Sequence, residues 1–173
     1  NGCQKENDST SSYYLNEGKI EFSLKGSQQG SNFDFSKTYS VFKNYNESYI
    51  SDFDGKKVAH ISRYSDDLQS YMSFQITFDS LNNAIEGVLN GFNFAILIKN
   101  NDNTISQFYS TQIDGCYNSS CLNEPSYYQF KNISFNPDTK KINGQFTCKY
   151  TEADSDSYLI EGNFDIQLYE FLY

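Results

Sequence analysis

The chain has no tryptophan, one histidine, one methionine and two prolines. Each shortage excludes something. Without tryptophan, the ring with the largest face for stacking on a ligand is missing. A single histidine, His60, cannot build a histidine-rich metal centre, and the four cysteines lack the C-x-x-C spacing of structural zinc. Cations are scarce: 13 Lys and Arg stand against 22 Asp and Glu, giving a net charge of −9. Nucleic acid is bound by cationic side chains that displace phosphate counterions, so it is excluded as a partner. Purely electrostatic docking on an anionic bilayer is disfavoured for the same reason. Long apolar runs are absent too. The longest block, Phe94-Ala95-Ile96-Leu97-Ile98, has the length of a core strand, against the roughly 20 residues that cross a bilayer.

Aromatic residues are plentiful: 15 Tyr and 15 Phe in 173 residues. Their broad rings pack well on a pleated surface, and Tyr adds a hydroxyl that reaches water from a half-buried ring. The hydrophobic pattern follows. Ile20, Phe22 and Leu24 alternate with polar neighbours, as do Met72, Phe74, Ile76 and Phe78 over residues 71–78. Such alternation marks strands with one face buried and one wet. Residues 92–99 read as a central strand, apolar on both faces, and residues 157–170 as the closing strand. Asn136-Pro137-Asp138-Thr139-Lys140 is the turn of a hairpin joining residues 127–135 to 141–150. The period changes only once. Asp79 or Ser80 caps an expected short helix in which Leu81, Ala84, Ile85, Val88 and Leu89 share one side and Gly91 ends it.

The fold class expected is all-β: an antiparallel β-sandwich or open barrel of about 8–10 strands with one short helix. Its core should hold Phe22, Phe74, Ile76, Ile96, Phe146, Phe164 and Ile166. Residues 4 to about 17 are polar and aperiodic, a flexible tether by composition, leaving residues 18–173 as a single β domain.

Cys116 and Cys121 flank a polar loop and lie close enough to form a disulfide in an oxidising compartment. Cys148 shares strand parity with Ile142 and Phe146, so it should point into the core as a small apolar residue. Cys3 is then left over for lipid. The competing arithmetic is a second disulfide, Cys3–Cys148. The polar tether after Cys3 favours the first assignment.

Catalytic signatures are missing. Asp52-x-Asp54-Gly55 opens like a calcium loop, and Glu152, Asp154 and Asp156 alternate in another, but neither supplies the further ligands calcium requires. Both read as solvated turns. His60 lacks a nucleophile motif of the G-x-S-x-G kind and reads as a structural or surface residue. A hydrolase built on paired carboxylates is the weakest of the readings, because 22 acidic residues always provide some pair. No catalytic residue, metal or cofactor is assigned.

The N-terminus carries the most specific pattern. Asn1-Gly2-Cys3 followed by Gln4-Lys5-Glu6-Asn7-Asp8 resembles the processed end of lipoproteins from Bacteroidetes-type bacteria. The resemblance implies that Cys3 carries lipid and that Gln4, Lys5, Glu6 and Asp8 form a signal for export to the outer face of the outer membrane. Asn7 departs from the pattern, which expects an acid there. In the C-terminal third, residues 132–146 and 160–165 contain two Gly-x-Phe segments and resemble small all-β lipoproteins of the same bacteria. The function this implies is a non-catalytic binding or accessory subunit, membrane-bound through its lipid anchor and engaged with an outer-membrane protein complex. The alternative is a carbohydrate-binding module whose platform is formed by Tyr13, Tyr14, Tyr45, Tyr49, Tyr109, Tyr117, Tyr127 and Tyr128, all in or beside expected loops.

Overall fold

The computed structural model describes residues 18–43, 47–79, 83–85, 91–110, 113–151 and 156–170. Cys3, expected to carry lipid, the expected export residues Gln4, Lys5, Glu6 and Asp8, and Tyr13, Tyr14 and Tyr45 lie outside them. Two sheets pack face to face as a β-sandwich, with no closed barrel.

The first sheet contains β1 (Gly18–Gln28), β2 (Ser31–Tyr39), β9 (Tyr127–Asn136), β10 (Lys141–Thr151) and β11 (Ser157–Gln167), in the order β2-β1-β11-β10-β9. The second runs β12-β3-β4-β5-β7-β8, from β12 (Tyr169–Glu170), β3 (Ser48–Phe53), β4 (Lys56–Tyr64), β5 (Tyr71–Phe78), β7 (Gly91–Lys99) and β8 (Ile105–Tyr109). A two-residue β6 (Ala84–Ile85) pairs with the end of β5. All neighbours are antiparallel except β12, which lies parallel to β3. Residues 157–170, expected as one strand, therefore split at Leu168: the first part stays in the first sheet and the last crosses to the second. Leu168 is buried where the chain changes sheet.

The expected helix is replaced by strand where its residues are described. Ala84 and Ile85 pair with Phe78 and Thr77. Asp79 does accept a backbone N–H as a cap would, from Asn83 at 2.8 Å, but a strand follows Asn83 and Gly91 opens β7; Ser80, Leu81, Val88 and Leu89 lie outside the described residues. The spacing of a short apolar run does not distinguish helix from strand, and open backbone groups beside β5 favoured the strand. Among the described residues a 3-10 turn forms at Ser119–Asn123. The hairpin turn at residues 137–140 is as expected, with the Asn136 side chain accepting from the backbone N–H groups of Asp138 and Thr139 at 2.9 and 3.0 Å.

All seven expected core residues are buried. Phe74 of β5 sits at the centre, its ring centroid 4.9 Å from Phe164, 5.2 Å from Phe130 and 5.9 Å from both Phe92 and Phe146. Glycines make room for these rings. The two Gly-x-Phe segments lie side by side in β10 and β11, with Gly144 opposite Phe164 and Phe146 opposite Gly162. A Cβ on Gly144 would meet Phe164 Cζ at 2.7 Å. One on Gly162 would meet the Glu21 carbonyl oxygen, and Phe146 Cζ at 2.7 Å. Each ring thus folds over the bare backbone of the neighbouring strand.

A β-bulge completes the core. Between Ser134↔Asn143 and Lys131↔Gln145 the register shifts, so Asn132 and Ile133 oppose Gly144 alone. Asn132 takes φ +52°, and its side-chain amide donates to Gln145 Oε1 at 2.7 Å. The extra residue resets the alternation of β9, so that Phe130 before it and Ile133 and Phe135 after it all pack on the core.

Adding a methyl group at either glycine should loosen the sandwich. Gly162→Ala, which presses on backbone, is expected to cost about 1–3 kcal/mol, and Gly144→Ala, which presses on a ring, somewhat less. Urea unfolding of the two variants against the parent chain measures both.

Candidate ligand-binding face

The two outward faces of the sandwich differ in charge. On the first sheet, Lys19, Glu21, Lys25, Lys141, Glu161 and Asp165 all point outward, in positions that alternate with the buried row. Several are paired, as in Lys19–Glu21 at 2.7 Å and Lys141–Asp165 at 3.0 Å. This is an ordinary solvated surface.

On the second sheet the outward positions between the hairpin ends carry no acid and no permanent cation among the described residues. Lys56 and Lys99 lie only at those ends. The register stacks the rest in rows: Ser51 with the buried Val58 and Thr77; then Tyr49, His60 and Gln75; then Ser62, Ser73 and Asn93; then Tyr64, Tyr71, Ala95 and Tyr109; then Leu97 and Gln107. A fifth of the chain is charged, so a neutral face across five strands is a local departure from the composition.

The side chains of this face hold one another. Tyr49 and His60 stack with ring centroids 4.3 Å apart and planes 6° from parallel. His60 Nε2 lies 3.3 Å from Ser51 Oγ. Burial holds the His60 imidazole below its ordinary pKa, so the ring is neutral near pH 7. Ser62 donates to Ser73 at 2.9 Å across the β4–β5 pair. At the edge, Lys43 Nζ sits 4.0 Å over the Tyr64 ring, and the Lys43 backbone N–H donates to Glu47 Oε2 at 2.5 Å. Burial, then the charge of Glu47, push the Tyr64 hydroxyl up to about 12. Tyr71 lies against Tyr64 at 5.9 Å.

Chemically, these groups can donate and accept hydrogen bonds and offer ring faces. The Ser51–His60 contact has the elements of a nucleophile and base. Among the described residues no carboxylate holds the second imidazole nitrogen, which nucleophilic catalysis of this type uses to orient the base. Arg63, three residues on, points the other way. It is fully buried at the sandwich end, where it donates to the Gly18 and Ser62 carbonyl oxygens at 3.2 and 2.8 Å and to Ser48 Oγ at 2.5 Å.

The tyrosines expected to form one loop platform are dispersed. Tyr49 is half-buried on β3, Tyr109 is 48% exposed on the edge strand β8, and Tyr117 is 41% exposed in the disulfide loop. Tyr127 is half-buried and Tyr128 buried at the start of β9. Tyr64 and Tyr71, not selected from the sequence, join Tyr109 in one row because the strands bring them together. Alternation with Met72 and Phe74 marks Tyr71 as outward-facing, whereas Tyr64 follows a charged residue that turns inward, and only the register shows that they align.

Cys116 and Cys121 form the expected disulfide. Their loop is docked on β9: the Cys116 N–H donates to the Tyr128 carbonyl oxygen at 2.6 Å, and Asn118 caps the 3-10 turn. Cys148 is a free thiol buried in the core, and burial pushes its pKa well above the ordinary thiol value. Asp52 and Asp54 occupy the exposed β3–β4 turn, where Asp52 meets Lys57 at 3.5 Å. Glu152 and Asp154 lie outside the described residues, while Asp156 accepts from the Gln29 backbone N–H at 2.9 Å. Among the described residues no group of three metal-binding side chains assembles. A shallow depression of about 370 Å³ on the charged face is lined by Glu21, Glu161 and Lys37, with Ser23, Ser36 and Asn163.

No family model matches the chain. No curated protein and no solved structure matches it either.

The depressed pKa of His60 has a consequence for stability. The unfolded chain takes up the proton first on acidification, at about pH 6.5. Stability is therefore full above that value and falls as the pH drops toward the lower folded-state pKa. Urea midpoints at pH 7.5 and 5.5 should show this fall in the parent chain, and a smaller one in His60→Gln.

Proposed function

We propose that the chain is an exported, lipid-anchored binding protein that acts without catalysis. Cys3 holds it to the outer membrane, Gln4, Lys5, Glu6 and Asp8 direct it to the cell surface, and residues 4–17 are the tether. The β-sandwich then presents the uncharged face of the second sheet to its partner. The observation that carries this reading is the charge difference between the two outward faces. An acidic, soluble domain gains nothing by withholding charge from one whole face unless that face meets something other than water. The Cys116–Cys121 disulfide supports an oxidising compartment, in keeping with export.

The partner is either a protein of an outer-membrane assembly or a glycan. A glycan is favoured by where the apolar groups lie. Protein interfaces bury an apolar centre inside a polar rim. Here the exposed apolar residues, Phe53 and Ile105, sit at hairpin ends; between them Val58 is buried, Ala95 and Leu97 are half-buried, and the other side chains are hydroxyls, amides, phenols and one imidazole.

Intact mass spectrometry of the protein from its native membrane, without reducing agent, tests the anchor. The expected mass is that of a chain beginning at Cys3 and carrying several acyl chains, with Cys3→Ala moving the protein to the soluble fraction. A chain that keeps Asn1 and Gly2 and has an unmodified Cys3 would overturn it.

A further inference from the structure

We infer that Tyr71, Ala95 and Tyr109 form a slot that takes one saccharide ring of a neutral glycan. The inference rests on the reading of the uncharged face as a binding surface, and it names the ligand class and the residues.

The slot follows from register. Tyr71 of β5, Ala95 of β7 and Tyr109 of β8 are direct cross-strand neighbours on the outward side. Neighbouring strands lie about 4.8 Å apart, so the two tyrosines stand about 10 Å apart with only a methyl group between them. A ring in van der Waals contact needs about 3.5–4.0 Å on each side, so one ring fits between the phenols. Ala95 is half-buried and reachable from solvent, and Tyr109 is 48% exposed. Tyr71 is steadied from behind by Tyr64 of β4, whose ring Lys43 covers from the loop beside it.

The rim decides the chemistry. Asn93 and Gln107, both exposed, flank the floor in the adjacent rows, with Ser73 opposite Asn93 and the half-buried Leu97 opposite Gln107. Amides and hydroxyls can donate and accept at once, as the hydroxyls of a sugar require. Among the described residues no side chain of these rows is charged, so nothing in them selects for a phosphate, a sulfate or a carboxylate. The tyrosine faces suit the apolar C–H faces of a pyranose, whose hydroxyl edges the amides then reach.

The test is an array of neutral and acidic glycans probed with the full chain, its Ala95→Phe and Tyr109→Ala variants, and Tyr117→Ala as a control in the disulfide loop. Thermal melting checks that each variant folds. The parent chain should retain neutral glycans. Ala95→Phe, which fills the slot, and Tyr109→Ala, which removes one wall, should each weaken that binding about tenfold or more, and Tyr117→Ala should leave it unchanged. Retention of no neutral glycan, retention of acidic glycans only, or slot variants that bind like the parent would overturn the proposal. If a slot variant fails to fold, amide shifts of the parent chain on adding a retained glycan decide: they must centre on Asn93, Ala95, Gln107 and Tyr109, and shifts centred elsewhere refute the slot. A photo-crosslinker at Gln75 in intact cells separates the two levels of the argument. Protein capture there without glycan binding overturns the saccharide slot and keeps the face as a binding surface. Neither capture nor glycan binding overturns both.

Discussion

Everything in this sandwich depends on how large rings are fitted between two sheets that must stay close. A core of phenylalanines is too thick for two sheets unless some positions carry no side chain. The reciprocal pairing of Gly144 with Phe164 and of Phe146 with Gly162 meets that constraint: each ring lies over its neighbour's bare backbone, and both reach Phe74 across the core. The bulge at Asn132 and Ile133 belongs to the same arrangement, since it turns Ile133 toward Gly144, the one inward position on β10 without a side chain, where it packs beside the Phe164 ring. A strand of strict alternation would have sent Ile133 and Phe135 into water.

With the inner faces so occupied, the outer faces are free to diverge. The first sheet carries charges that pair along a strand, as Lys19 with Glu21, and across strands, as Lys141 with Asp165. The second carries tyrosines, amides, serines and one neutral imidazole, held in rows by stacking and hydrogen bonds. Ordered, uncharged and reachable groups are what recognition of a polar neutral ligand needs, because little rotamer freedom is lost on binding and no ion must be stripped of water. The rigidity of the ring-filled core is what keeps those rows in register.

Much of the architecture was legible in the residues. Alternation located β5 at its observed bounds, and the apolar residues on both faces of β7 marked a strand with neighbours on either side. The Asn-Pro-Asp turn, the disulfide and the inward Cys148 followed from short-range chemistry. The failures were all non-local. Leu81, Ala84, Ile85, Val88 and Leu89 match a helical period, yet Ala84 and Ile85 pair with a strand whose open edge their own spacing does not encode. The split at Leu168 depends on a second sheet lying within reach.

The candidate face shows the division most clearly. Sequence alone determined that the domain is all-β, acidic and rich in rings, and that its strands have one wet side each, because those properties depend on composition and on a period of two residues. It also set the pattern at Cys3. Which wet sides meet was decided only by the tertiary structure. Tyr71, Ala95 and Tyr109 are separated by long stretches of chain and become neighbours through the register of β5, β7 and β8. That register is fixed by the side chains on the opposite, buried face, since a slip of one residue would turn Phe74, Phe94 and Phe108 out of the core.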